Sequence, residues 1–205
     1  MAKIALRLSY LGTAYHGWQR QKNAMTVQQV LEDAIRDLTG QKVALSGCGR
    51  TDAGVHARTY VASWLDTGIP LERFPAALNA RLPRDVVVHR ADAVPDDFDA
   101  RFSCRRKEYT YLIHNSRTRD PFLTARAWFY PQPLDVQAMQ SASRAFVGRQ
   151  DFAAVKSEGT PVKSTVREVY YCEVEPREGK IIAVRVCADG FLYNMVRAIT
   201  GTLVY

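Results

Sequence analysis

The order of secondary structure along this chain repeats once, and that recurrence constrains the fold more than any single residue does. Residues 3–11 (KIALRLSYL) alternate apolar and polar side chains, as a strand with one buried face does. Thr26 then opens a helix as N-cap, with Gln29 three residues on as its capping-box partner. Val27, Val30, Leu31, Ala34, Ile35 and Leu38 make the apolar stripe, and Gly40 stops it. Strands are expected at 43–48 and 58–66, a shorter helix over 71–81 ending before Pro83, and a strand at 85–91. The second half runs in the same order. A strand at 107–115 and a helix at 135–147 are followed by strands at 166–175 and 181–188, joined by a turn at Arg177-Glu178-Gly179-Lys180. A further helix begins near Phe191. The pattern predicts an α+β protein of two ferredoxin-like or RNA-recognition-like βαββαβ units with antiparallel sheets. The units span 1–103 and 104–205, and the pattern breaks near 95–106 at Pro95-Asp96-Asp97. No sixth element precedes Tyr205, so the repeat predicts a second unit whose C-terminal end is missing.

With 205 residues and 47% apolar side chains, either unit can bury a core. No apolar run reaches the roughly 20 residues of a membrane span, and the start has no signal-peptide pattern. A cytoplasmic protein is expected. Cys48, Cys104, Cys172 and Cys187 form no C-x-x-C pair, which argues against structural zinc and leaves four separate thiols. Cys48 reads as a half-buried packing residue. Lysine and arginine total 28 against 21 acids, a net charge of +7, and arginine predominates. Such a balance favours a polyanionic partner held through its phosphates.

The most pointed local feature is Gly49-Arg50-Thr51-Asp52-Ala53-Gly54-Val55-His56-Ala57. Two glycines let the backbone turn sharply around Asp52 and approach a ligand closely. Asp before Ala-Gly also suits an ordinary turn in which the carboxylate bonds its own backbone. His56 is open to two structural readings, a loop-holding hydrogen bond or a satisfied core imidazole. Histidines at 16, 56, 89 and 114 lack metal-ligand spacing. The chain has no G-x-S-x-G elbow, no P-loop or dinucleotide fingerprint, and no P-C-x-x-C of a zinc deaminase.

Several segments carry a family resemblance. GRTDAGVHA resembles the active-site loop of the tRNA pseudouridine synthase A family. The likeness continues in order through Tyr15-His16-Gly17-Trp18-Gln19-Arg20-Gln21, Leu78-Asn79-Ala80-Arg81-Leu82-Pro83 and Phe98-Asp99-Ala100-Arg101-Phe102-Ser103. It ends with Glu108-Tyr109-Thr110-Tyr111, Lys163-Ser164-Thr165-Val166-Arg167 and Gly190-Phe191-Leu192-Tyr193-Asn194-Met195-Val196-Arg197. The sequence departs from the family at Trp64, where phenylalanine is usual, and in lacking Gly-Gln after His56-Ala57.

The resemblance implies an isomerase that flips a uridine of the tRNA anticodon stem-loop, at positions 38, 39 and 40, and converts it to pseudouridine. It implies Asp52 as nucleophile, attacking base or sugar, and Arg197 as the cation that keeps it ionised in a cleft between the units. Burial alone would raise a carboxylate's pKa, and a guanidinium nearby opposes that. Met195 and Val196 suggest a semi-buried setting for Arg197. Tyr109 is expected to stack on the target uracil and Arg50 to brace the vacated space. Arg101, Arg105, Arg106, Lys107, Lys156, Lys163 and Arg167 are candidates for phosphate contact, with Arg20 and Lys22 reaching the body of the tRNA. Neither a metal nor an organic cofactor is implied. The implied assembly is a homodimer, with no membrane partner. A non-catalytic RNA-binding module and an enzyme acting on a free nucleoside are the competing readings.

Overall fold

The computed structural model describes residues 3–65, 70–159 and 161–205. They divide into two compact units, Met1–Cys104 and Arg105–Tyr205. In the first, β1 (Lys3–Tyr10) is followed by α1 (Val27–Thr39), β2 (Ser46–Gly47), β3 (Ala57–Leu65), α2 (Phe74–Asn79) and β4 (Val86–Val94). The sheet order is β2-β3-β1-β4 with every pairing antiparallel, the arrangement a βαββαβ unit requires. Alternation along β1 decides the faces. Ile4, Leu6, Leu8 and Tyr10 are buried opposite Trp64, Ala62 and Tyr60 in the core beneath the helices. Asp66, the last residue of the strand expected at 58–66, lies outside the described residues.

The Thr26 hydroxyl accepts from the Gln29 N–H, and Gly40 closes α1 in the left-handed conformation at φ 73°. Val27, Leu31, Ala34 and Ile35 of the expected stripe are buried, while Val30 and Leu38 pack at its margin. Gln28 and Glu32 are buried as well, and they explain why β2 is only two residues long rather than six. Leu45 donates its N–H to Glu32 Oε1 at 3.1 Å, and its carbonyl accepts from Gln28 Nε2 at 3.1 Å. Helix side chains thus take backbone bonds that a longer ladder would have used. Helix α2 is shorter than the expected 71–81, with Pro75 in its first turn. At its end the Asn79 side chain binds both the N–H and the carbonyl of Val88 at 2.8 Å.

In the second unit β5 (Lys107–Asn115), β6 (Trp128–Tyr130), α3 (Val136–Ser143), β7 (Gly148–Asp151), β8 (Val166–Arg177), β9 (Ile181–Ala188) and α4 (Met195–Val204) follow in order. The sheet runs β6-β5-β9-β8-β7. Its β6–β5 pair is parallel, so this sheet is mixed rather than antiparallel throughout. The reason lies in the segment between β5 and α3, which returns Trp128–Tyr130 alongside Ile113–Asn115. Asn115 Nδ2 then fastens the exit by donating to the carbonyls of Tyr130 and Gln132. Neither β6 nor β7 carries an alternating pattern long enough to read. The expected helix at 135–147 is Val136–Ser143 continued by a 3-10 turn at Arg144–Phe146. The last helix starts at Met195, later than expected, because Asn194 stands at φ 59° and interrupts helical geometry before it.

Candidate active-site loop and associated residues

Asp52 sits on a loop bolted to the rest of its unit from several sides. Tyr10, Trp18 and Tyr60 form an aromatic platform, with Trp18 and Tyr60 ring centroids 4.2 Å apart. The Tyr60 hydroxyl donates to the Gly49 carbonyl, and the Tyr10 hydroxyl bonds Thr51 Oγ1 at 2.9 Å. Trp18 N–H donates to the Thr51 carbonyl at 3.1 Å, and Gly54 N–H to the Tyr15 carbonyl at 3.2 Å. His56 Nδ1 accepts from Gly12 N–H at 2.9 Å. Of the two readings of His56, the loop-holding bond is the one found, and it requires Nδ1 to be unprotonated.

Two close approaches complete the clamp. A Cβ on Gly12 would stand 2.0 Å from the Val55 carbonyl oxygen, and one on Gly17 would stand 2.1 Å from that of Thr51. Gly17 also has φ 82°, where a side chain is strained. The turn at Asp52 closes through backbone alone, with Val55 N–H donating to the Asp52 carbonyl at 3.2 Å and Gly54 at φ 78°. Among the described residues of this unit the Asp52 carboxylate accepts no hydrogen bond and forms no ion pair, and the residue is exposed. It is therefore not spent on making its own turn. Arg50 is exposed on the same loop.

In the second unit Tyr109 lies on β5, half-buried, with the Phe191 ring edge-on at a centroid distance of 5.0 Å and 85°. Tyr111 shares its face of the strand and meets Trp128 instead. Arg197 is exposed within its unit, not semi-buried as its neighbours suggested. Met195, Ile199 and Leu203 form the buried stripe of α4, and a residue two positions after Met195 falls on the opposite side of a helix. Arg105, Arg106 and Lys163 are also exposed, whereas Arg20 is engaged with Glu32 at 2.8 Å. Trp64 packs inside the first unit against Phe74, so this departure from the family is a core substitution. Among the described residues its buried indole N–H has no hydrogen-bond partner.

Residues 8–103 and 142–205 match the family described as tRNA pseudouridine synthase. The chain belongs to that family. It is 47% identical over 206 residues to tRNA pseudouridine synthase A of Ruminiclostridium cellulolyticum, covering all of this chain and 84% of the relative. The protein of the same name from Acetivibrio thermocellus is 47% identical over 204 residues, with 99% and 83% covered. That of Geobacter sp. strain M21 is 46% identical over 205 residues, with 100% and 83% covered. Membership makes the chain an isomerase acting on tRNA. Tyr109 falls in the stretch between the two matched segments, whereas Asp52, Arg50 and Arg197 lie inside them. No helix among the described residues is long and apolar enough to cross a membrane.

Sequence reasoning did not single out Gly12, Tyr10, Tyr60, Gln28 or Glu32. A signal exists only for Gly12, a small residue immediately after the strand expected at 3–11, which ends in Leu11. The others act through partners 11 to 41 residues away in sequence, beyond the reach of local pattern.

Proposed function

We propose that this synthase converts uridine to pseudouridine at positions 38, 39 and 40 of the tRNA anticodon stem-loop, with Asp52 as nucleophile. Asp52 bonds to the base or the sugar and is released again in the course of a reaction that breaks C1′–N1, turns the uracil and forms C1′–C5, the proton lost from C5 being balanced by one gained at N1. Nothing is oxidised, and no cofactor is needed. What supports the role of Asp52 is that every polar anchor of its loop is satisfied by other groups, leaving a positioned, exposed carboxylate. Arg197 supplies the cation that keeps that carboxylate ionised once RNA excludes water. Tyr109 stacks on the flipped uracil and its hydroxyl assists removal of the C5 proton. Arg50 braces the place the base has left. The enzyme acts in the cytoplasm as a homodimer, and the net charge of +7 serves binding to the stem-loop backbone.

The test is release of tritium from tRNA labelled at uracil C5, with pseudouridine mapped by position. Asp52→Ala should abolish release while retaining tRNA binding. Turnover by that variant, or pseudouridine only outside the anticodon stem-loop, would overturn the assignment. Arg197→Lys should stay well below the parent, because an ammonium lacks the paired donors of a guanidinium.

A further inference from the structure

A pocket of about 310 Å³ opens within the first unit beside the Asp52 loop, and of its lining only Arg50 has a part in the chemistry proposed for Asp52. Trp18, Ser46, Gly47, Gly49, Arg50 and Arg101 line it. Two guanidiniums border the space, and no carboxylate side chain does. The nearest acid in the hydrogen-bond network, Asp99, is already engaged. Its Oδ1 accepts from Ser46 Oγ at 3.0 Å, from Arg101 N–H at 2.8 Å and from Phe102 N–H at 3.1 Å. Burial pushes this carboxyl upward, but those three bonds outweigh it and hold the pKa below the ordinary value. Asp99 thus fixes the turn that carries Arg101 without neutralising the arginine by direct pairing.

Next to Arg101 stands Phe102, 81% exposed, with the guanidinium carbon 5.4 Å from its ring centroid. Its open ring offers a face on which an unstacked RNA base can stack. The volume sits at the lower bound of small-ligand sites, about 300 Å³, which suits one nucleotide and not a length of duplex. The Arg101 guanidinium matches a phosphate.

We infer that this pocket is a second nucleotide subsite. It takes the phosphate of an unstacked RNA nucleotide other than the reacting one at Arg101, on the side of the pocket away from the base position that Arg50 braces, with its base outside the lining against the neighbouring Phe102. The inference rests on the reading of Asp52 as the nucleophile of a tRNA-modifying site, and it explains why a loop carrying that residue is continuous with a cationic pocket. Filling the pocket would seat the RNA on the same backbone, Gly47 to Arg50, that leads into Asp52.

The Trp18 indole N–H resonance reports occupancy without requiring turnover. Uridine 5′-monophosphate should shift it, and uridine should bind at least about tenfold more weakly for want of the charged contact. Arg101→Ala should weaken the nucleotide by a similar factor and Phe102→Ala by less, with Arg101→Lys between. With tRNA, Arg101→Ala should raise KM more than it lowers kcat, and should flatten the salt dependence by about 0.7 to 0.9 per phosphate lost. Equal binding of nucleotide and nucleoside, or a Trp18 resonance indifferent to both, overturns the subsite even if tRNA turnover is intact. Absence of turnover in the parent protein overturns the nucleophile reading instead, and the nucleotide titration still decides the pocket.

Discussion

Replacing Gly12 with alanine should slow turnover about a hundredfold even in molecules that remain folded. Gly12 follows β1 in a short 3-10 turn, and its N–H donates to His56. A Cβ there would lie 2.0 Å from the Val55 carbonyl oxygen and 2.6 Å from its carbon, both backbone atoms that cannot rotate aside. Real Cβ atoms essentially never come within 3.0 Å of such neighbours, so the turn bearing Asp52 must retreat by about 1 Å. Overpacking of this kind costs about 1–3 kcal/mol of stability. A reactive group misplaced by about 1 Å loses about a hundredfold in rate, or about 2.7 kcal/mol of barrier. The matched control is Gly40→Ala at the end of α1. There φ is 73° and a Cβ meets nothing within 4 Å, so about 1 kcal/mol of backbone strain is imposed far from the loop. Urea midpoints give the stability cost. Single-turnover tritium release, run well below each melting temperature, gives the rate per folded molecule. Gly12→Ala should lose about two orders of magnitude and Gly40→Ala almost nothing. If Gly12→Ala turns over at the parent rate while folded, the loop does not need the position described here, and the reasoning from the clamp fails.

Glu32→Ala leaves Gln28 Nε2 and Leu45 N–H without their buried acceptor and should cost about 2–4 kcal/mol in urea denaturation. Arg20→Ala should shift the urea midpoint far less than Glu32→Ala, since the arginine side chain is 48% exposed and its pairing is screened by solvent. The Tyr15 phenol is pushed up, first by burial and then by donating to Asp85. An unfolded tyrosine titrates near 10, so this contribution is whole below about pH 10 and is lost as pH rises toward the folded value. Urea midpoints across the alkaline range should therefore fall, and Tyr15→Phe should flatten the fall. Burial pushes the Cys172 thiol up to about 11, so a thiol reagent should label half-buried Cys48 and Cys104 in the native protein well before Cys172, as peptide mapping would show.

The elements that could be read from sequence are those whose cause is local. The alternation of β1, the stripe of α1 and its Thr26 and Gly40 boundaries each depend on residues a turn away. What could not be read depends on distant partners. Strand β2 is short because Leu45 is claimed by Gln28 and Glu32, two polar residues that an apolar stripe assigns to the surface. Strand β6 exists because a loop returns to the edge of β5, and three residues carry no periodicity of their own. Met195 and Val196 suggest a semi-buried Arg197 only if adjacent residues share surroundings, whereas a helix sends them to different faces.

The loop shows the same division more sharply. Gly49 to Ala57 is consistent on its own terms with a turn stabilised by an aspartate, and only the structure shows that the turn closes through backbone, with no hydrogen bond to the carboxylate among the described residues. The fixing groups come from outside: Tyr10, Gly12, Tyr15 and Trp18 on one side and Tyr60 on the other. Position and chemistry are thereby assigned to different residues. Substitutions at Gly12, Gly17 or Tyr60 should displace Asp52 without altering what it is, and Asp52→Ala should remove the chemistry without disturbing the turn. A loop whose fold does not depend on its acid leaves that carboxylate available for the nucleophilic role proposed for it, which a turn held by its own aspartate would not.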